Sequence, residues 1–314
     1  MEWKRNIETS KNVKGNLEIK PEISGFLNDL INFLIDNKRE INERIHSTPG
    51  LLEYLYREFI TIGYDNSNQE SQKKNLIGKQ LIQRLAQKLS ENYKNKKYQK
   101  LLKTTSEKFK KMELEVLFDN SWFYCNINGG PSLNKKLGRF YLNLKSDPEI
   151  IINFFERAIK SFQTSGLHVQ IKIPRHGSDY NLKRRDKMVI YFNEDETLGV
   201  INILKSLYNN NEMLFNAERL YFTAPIKDSS GKEMRGIGFG EEPSSEKESF
   251  SEVRTKILVR IIQRYISIKK INLITPKELY QYFVRACKEF GVDPENPAFN
   301  SGPENTFKKI ILQN

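Results

Sequence analysis

The heptapeptide Leu167-His168-Val169-Gln170-Ile171-Lys172-Ile173 alternates apolar and polar residues throughout. In a β-strand successive side chains point to opposite faces. Leu167, Val169, Ile171 and Ile173 then enter a core, while His168, Gln170 and Lys172 share the other face, roughly 7 Å apart at alternate positions. A row holding an imidazole and an amine suits acid–base chemistry. The same pattern also describes an ordinary half-exposed antiparallel strand. Next, Pro174-Arg175-His176-Gly177 turns the chain, and Tyr180, Lys183, Arg184, Arg185 and Asp186 lead into another apolar run. Basic residues on turns and strand ends are suited to catching phosphate. Arg185 beside Asp186 fits phosphate binding and a structural ion pair equally well.

A second candidate is Arg235-Gly236-Ile237-Gly238-Phe239-Gly240-Glu241-Glu242-Pro243. Its glycine spacing is neither a dinucleotide fingerprint nor a P-loop. The helix expected from Ser249 could hold an anion at its positive end, with Arg254 in the second turn. Alternatively, the glycines permit close packing at a strand edge. Cys125 and Cys287 lie far apart, and His46, His168 and His176 make no credible metal cluster. No metal and no cofactor is expected.

These residues need elements to hold them. Apolar residues at helical spacing predict helices over Ile23–Ile41, Pro49–Tyr64 and Leu76–Tyr93. The stretch from Lys94 to Lys111 carries eight lysines and one acid, Glu107, and reads as a solvated helix face more than an anion-binding patch. After Glu115 the texture changes. Strands are predicted at Arg139–Lys145, Leu167–Ile173, Lys187–Phe192, Arg219–Thr223 and Arg235–Phe239. Helices are predicted from Pro148 to about Phe162, from Thr197 to Tyr208, and from capping boxes at Ser249 and Thr275. Gly291 to Glu304 reads as a loop. The expected organisation is a tail over 1–20, a helical region over 21–114 and an α+β domain over 115–314.

The chain has 314 residues and a formal net charge of +12, so an acidic partner is expected. Neither a signal peptide nor a run near the roughly 18 apolar residues of a membrane span is visible. A cytoplasmic location without membrane contact is therefore expected, or export by a secretion system.

The ordered segments, taken together, resemble a known family. They are Gly138-Arg139-Phe140-Tyr141-Leu142-Asn143-Leu144, His168-Val169-Gln170-Ile171-Lys172, Arg185-Asp186 with Val189-Ile190-Tyr191, Arg235-Gly236-Ile237-Gly238, Glu241-Glu242-Pro243 and Ser249-Phe250-Ser251-Glu252-Val253-Arg254. The set is similar to the HopA-type family, named for a type III secreted effector of plant-pathogenic bacteria. Relatives of it occur in gene clusters for thioamitides and class V lanthipeptides. The resemblance implies an α+β fold with a twisted, largely antiparallel sheet, as in phosphothreonine lyases. It implies elimination of phosphate from phosphoserine and phosphothreonine in a ribosomally made precursor peptide, beside a kinase-like partner that installs the phosphate. On that reading Lys172 is the base, His168 the acid, Tyr180 an assisting hydrogen-bond donor, and Arg175, Arg185, Arg235 and Arg254 the phosphate ligands. Two other readings stand beside it: a non-enzymatic effector-like or leader-peptide-binding protein, which releases no phosphate, and a basic nucleic-acid-binding protein, the less expected of the two, which shows steep salt dependence.

Overall fold

The computed structural model describes residues 19–63, 106–107, 114–118, 122–174, 179–243, 248–266 and 275–314. The tail through residue 18, the helix expected at 76–93, most of the lysine-rich stretch, and Arg175 and His176 lie outside the described residues.

Helix α1 (Pro21–Asp36) starts on a proline and buries Ile23, Phe26, Leu27, Leu30, Phe33 and Leu34 at helical spacing. It was expected to run through Ile41 but stops at Asn37, whose side-chain amide donates to the Phe33 carbonyl at 2.9 Å. This local bond competes with the helical ladder, and α2 (Lys38–Arg44) begins anew. Helix α3 (Thr48–Leu55) is capped by the Ser47 hydroxyl, which accepts from the Gly50 N–H, and runs into a π-helical turn (Tyr56–Thr61).

Among the described residues eight strands form one antiparallel sheet: β1 (Ser106–Glu107), β2 (Leu114–Phe118), β3 (Trp122–Ile127), β4 (Leu137–Leu142), β5 (Val169–Pro174), β6 (Met188–Asn193), β7 (Ala224–Lys227) and β8 (Glu233–Glu241). Their order is β1-β2-β3-β5-β6-β4-β8-β7. Helix α4 (Pro148–Ser165) is capped by Asp147 and ended by left-handed Gly166; α5 (Asp179–Lys183) and α6 (Thr197–Asn209) follow. The capping boxes start α7 (Phe250–Ile266) and α8 (Pro276–Glu289), with the Ser249 and Thr275 hydroxyls accepting from the N–H groups of Glu252 and Glu278. The last helix, α9 (Thr306–Gln313), follows the expected loop and was not anticipated.

Strand alternation divides the side chains cleanly. Phe123, Cys125, Val169, Ile171, Ile173, Ile190, Phe192 and Phe140 face one side and pack in one core with α4, α6 and α9. On the other side Tyr141 and Val189 join α1, α3, α7 and α8 in a second core. The helices thus bury β6 and β4 on this face, whereas Trp122, Tyr124, Gln170 and Lys172 on β3 and β5 stay half-exposed.

One predicted strand is a correction. Arg219–Thr223 is a turn, and strand pairing starts only at Ala224. Phe222 sits at φ 67, and Thr223 donates its hydroxyl back to the Leu220 carbonyl at 2.6 Å. Leu220 and Phe222 pack into the helical core, so burial there outweighs a β-type composition.

Candidate functional site

The boundary between the covered and open halves of the second sheet face collects cations and rings. Register sets Lys172 of β5 between Tyr124 of β3 and Val189 of β6, and Tyr191 of β6 between Gln170 of β5 and Arg139 of β4. The Lys172 ammonium lies 4.3 Å from the Trp122 ring centroid and 5.3 Å from that of Tyr191. Arg184, from the loop after α5, stands 4.8 Å over the same Trp122 ring, and Arg139 stands 4.4 Å over the same Tyr191 ring. Lys172 therefore shares one aromatic ring with each arginine, an arrangement that holds all three cations by their attraction to ring faces.

Both arginines are fixed by carboxylates. Arg184 is buried and grips Asp186 with two hydrogen bonds, Nε to Oδ1 at 2.8 Å and Nη2 to Oδ2 at 2.7 Å. Its guanidinium also donates to the hydroxyls of Tyr180 (3.2 Å) and Tyr56 (3.3 Å). Burial opposes the Arg184 charge, but Asp186, Tyr56 and Tyr180 outweigh it and hold the pKa above its ordinary value. Burial pushes the Tyr56 phenol up to about 12, against the pull of Arg184. Arg139 pairs through Nε with Glu242. Tyr180 is held in turn by Thr61, 3.2 Å from its hydroxyl, and by the Arg57 guanidinium 4.9 Å above its ring.

The expected residues divide accordingly. Lys172 and Tyr180 both meet Arg184's surroundings, directly or through one ring. His168 does not. It lies just before β5, four residues from Lys172, which places it roughly 13 Å away along an extended strand. Its exposed ring meets Glu196, with Nδ1 2.8 Å from Oε1. Arg254 is fully buried, with its guanidinium 4.2 Å over Phe250 and Nε donating to the Pro297 carbonyl at 3.1 Å. Nη1 and Nη2 have no hydrogen-bond partner, and burial lowers the pKa to about 10. No exposed ligand reaches it. Asp186 pairs with Arg184 rather than Arg185. Arg185 stacks 5.0 Å over Tyr221 and, with Arg235, lines a different cavity. Arg175 is outside the described residues.

The glycine run serves packing. A Cβ on Gly240 would meet the Phe250 ring at 2.7 Å, and one on Gly238 would clash with the Thr223 hydroxyl. Sequence reasoning missed Arg139, Trp122, Tyr191 and Tyr56 as members of the site. Two of them had a signal: Arg139 and Tyr191 lie in predicted strands, and alternation puts each on the core-opposite face. Trp122 and Tyr56 arrive from elements whose neighbours no local pattern reveals. Among the described residues no group of three His, Cys, Asp or Glu is arranged to hold a metal ion, and no helix is long and apolar enough to cross a membrane.

Comparison with known proteins gives a consistent result. The model of the HopA1 effector protein family matches residues 115–299. Two solved structures share the fold. One is an effector protein from Pseudomonas syringae pv. syringae strain 61, with 14% identity and a TM-score of 0.52 over 90% of this chain and 98% of that one. The other is an effector protein from Pseudomonas syringae pv. tomato strain DC3000, with 11% identity and a TM-score of 0.54 over 90% of this chain and 100% of that one. No curated protein matches the chain.

Proposed function

The chain belongs to the HopA1 effector protein family, and from that premise we propose that it eliminates phosphate from phosphoserine and phosphothreonine in a ribosomally made precursor peptide, leaving dehydroalanine and dehydrobutyrine. The observation that supports this reading is the meeting of one lysine amine with two carboxylate-fixed guanidiniums on a half-open sheet face. The neutral Lys172 amine takes the Cα proton. The electron pair of that bond forms the Cα=Cβ double bond, and the Cβ–O bond breaks with its electrons leaving on phosphate. The positive charges of Arg184 and Arg139 stabilise the departing dianion, with Arg184 keeping one N–H beyond those it gives to Asp186, Tyr180 and Tyr56. Asp186 and Glu242 engage the Nε edge of each guanidinium and so orient it. The Tyr180 hydroxyl, bonded to Arg184, is a further donor to the leaving group. Charge stabilisation at the leaving oxygens thus replaces protonation by His168. A separate kinase-like protein supplies the phosphate, since the chain has no P-loop or kinase signature.

The test is to incubate the protein with a phosphorylated serine- and threonine-containing precursor peptide and to weigh the product. The expected change is loss of one phosphoric acid per site. A product that has regained water, as a phosphatase makes, overturns the proposal. Both solved relatives are effector proteins, which favours a second reading, a binder without chemistry; it predicts retained binding and an unchanged mass.

A further inference from the structure

Breaking the Cβ–O bond leaves its electron pair on phosphate. A phosphoserine side chain already carries up to two negative charges near neutral pH. The group therefore departs as a dianion only if a proton reaches the leaving oxygen. His168 lies too far from Lys172 along β5 to bring it. Three phenols are hydrogen-bonded to Arg139 and Arg184, and the direction of their hydrogen bonds tells them apart.

Tyr141 accepts from Arg139 Nη1 at 3.4 Å, hydrogen-bonds Ser251 and is 2% exposed, so no substrate touches it. Tyr180 accepts from Arg184 Nη1 at 3.2 Å. The Thr61 hydroxyl is 3.2 Å from the Tyr180 oxygen, but its single proton goes to the Arg57 carbonyl at 2.8 Å. Between these two hydroxyls the phenol is therefore the donor. Tyr180 must release Thr61 before its proton serves a leaving group. Tyr56 accepts from Arg184 Nη2 at 3.3 Å, and among the described residues its own proton meets no acceptor.

The fold delivers this hydroxyl to the site. Tyr56 opens the π-helical turn Tyr56–Thr61, and such turns are frequent at functional sites. The Arg185 N–H donates to the Thr61 carbonyl at 2.7 Å and fastens the turn to the segment that carries Arg184. The Tyr56 ring centroid is 5.8 Å from the Arg184 guanidinium, and Arg139 is near enough to interact with the phenol electrostatically. Tyr56 is thus a neighbour of both cations. It is half-buried, and its phenol, pushed up to about 12 by burial, stays protonated through neutral and mildly alkaline pH. The turn lies outside residues 115–299 that the family model matches.

We propose that Tyr56 is a catalytic residue whose hydroxyl gives its proton to the leaving oxygen of the phosphorylated side chain. This rests on the elimination reading. Lys172 takes the Cα proton, the Cα–H electron pair forms the double bond, and the Cβ–O pair passes to the leaving oxygen, which receives the Tyr56 proton. Hydrogen phosphate departs, and tyrosinate remains against Arg184 Nη2. Water then returns a proton to Tyr56, and the Lys172 ammonium releases one to water.

The experiment follows formation of dehydroalanine from a synthetic serine-phosphorylated peptide by mass. Binding is measured in parallel with the same peptide carrying a phosphonate, in which a methylene group replaces the ester oxygen. The phosphonate keeps the dianion but has no leaving oxygen to protonate. Tyr56→Phe keeps the ring and should lower kcat by about 10²–10³-fold, the range for loss of one donor to developing charge, while binding the phosphonate within about twofold of the intact protein. Retained phosphonate binding also shows that the variant is folded. Tyr180→Phe should lose less activity than Tyr56→Phe. Tyr54→Phe removes a phenol that donates to Asn37 Oδ1 at 2.8 Å, away from the site, and should eliminate at the intact rate. A Tyr56→Phe rate within about threefold of intact overturns the proposal and leaves the elimination reading standing. Phosphonate binding that falls as far as kcat also overturns it, because Tyr56 then only props Arg184. If the intact protein eliminates nothing, the elimination reading fails and Tyr56 falls with it.

Discussion

Lys172 was legible in the sequence because period-two alternation says which face a strand residue takes, and the heptapeptide has no break in that pattern. The same alternation made His168 look like its companion, but sharing a face is not sharing a site: four residues along one strand is too far for one substrate group to touch both. Arg184, Arg139 and Trp122 are linked through Lys172 and Tyr191 across four strands and a loop, a distance in sequence that no local pattern carries. Lys187 was also passed over. It is buried, donates to Asn143 Oδ1 and the Arg184 carbonyl at 2.7 Å each, and so braces the segment that presents Arg184. Burial lowers its pKa to about 7, with Arg185 adding to the effect and Asp186 opposing it. Between that value and the ordinary 10.5, the unfolded chain binds a proton that the folded chain does not, so stability rises with pH from about 7. Cys125 and Cys287, whose thiols burial pushes up to about 12, reverse the slope above 9. Denaturant midpoints should therefore climb between pH 7 and 9. Lys187→Met should show a flatter rise; an unchanged slope would remove Lys187 as its source.

Most elements followed from capping and periodicity. Asp147 and Gly166 bracket α4, and Ser249 and Thr275 start α7 and α8 where their capping patterns stand. What failed were places where side chains settled the backbone, one through a local bond and one through distant contacts. Asn37 ends α1 by bonding to Phe33, and Phe222 leaves the β conformation to join Phe26 and Phe283. Strand β3 was missed because Trp122-Phe123-Tyr124-Cys125-Asn126-Ile127 lies next to turn residues and mixes its signals. The helix–sheet contact that shapes the covered half of the site depends on β8 glycines. Gly240→Ala places a methyl against the Phe250 ring and should cost about 1–3 kcal/mol by overpacking. Thermal unfolding checks this, and Phe250→Leu in the same chain should recover part of the loss. A neutral Gly240→Ala would mean α7 can shift away freely.

Across the whole molecule the helical N-terminal region and the sheet share one core. Eleven buried apolar side chains of α1 to the π-helical turn, from Ile23 to Ile60, pack with α7, α8 and the sheet residues Tyr141 and Val189. Their removal would bare the apolar faces of α7 and α8 and the Tyr141 and Val189 side chains that they cover. A chain lacking residues 1–63 should therefore lose cooperative unfolding by calorimetry; a sharp transition near that of the intact chain would show that the remainder folds alone. Docking of the kinase-like partner is consequently better tested by surface charge reversal than by deletion. The most direct test of Lys172 as the base compares elimination rates of intact protein, Lys172→Ala and His168→Ala on one phosphopeptide, with binding measured in parallel. Lys172→Ala should bind the peptide and lose elimination by several orders of magnitude, as loss of a base that typically contributes about 10²–10⁴-fold and of its positioning together predict, while His168→Ala should stay within about tenfold of the intact protein, well short of that contribution. Near-normal elimination by Lys172→Ala would contradict the assignment of this sheet face as the site of chemistry.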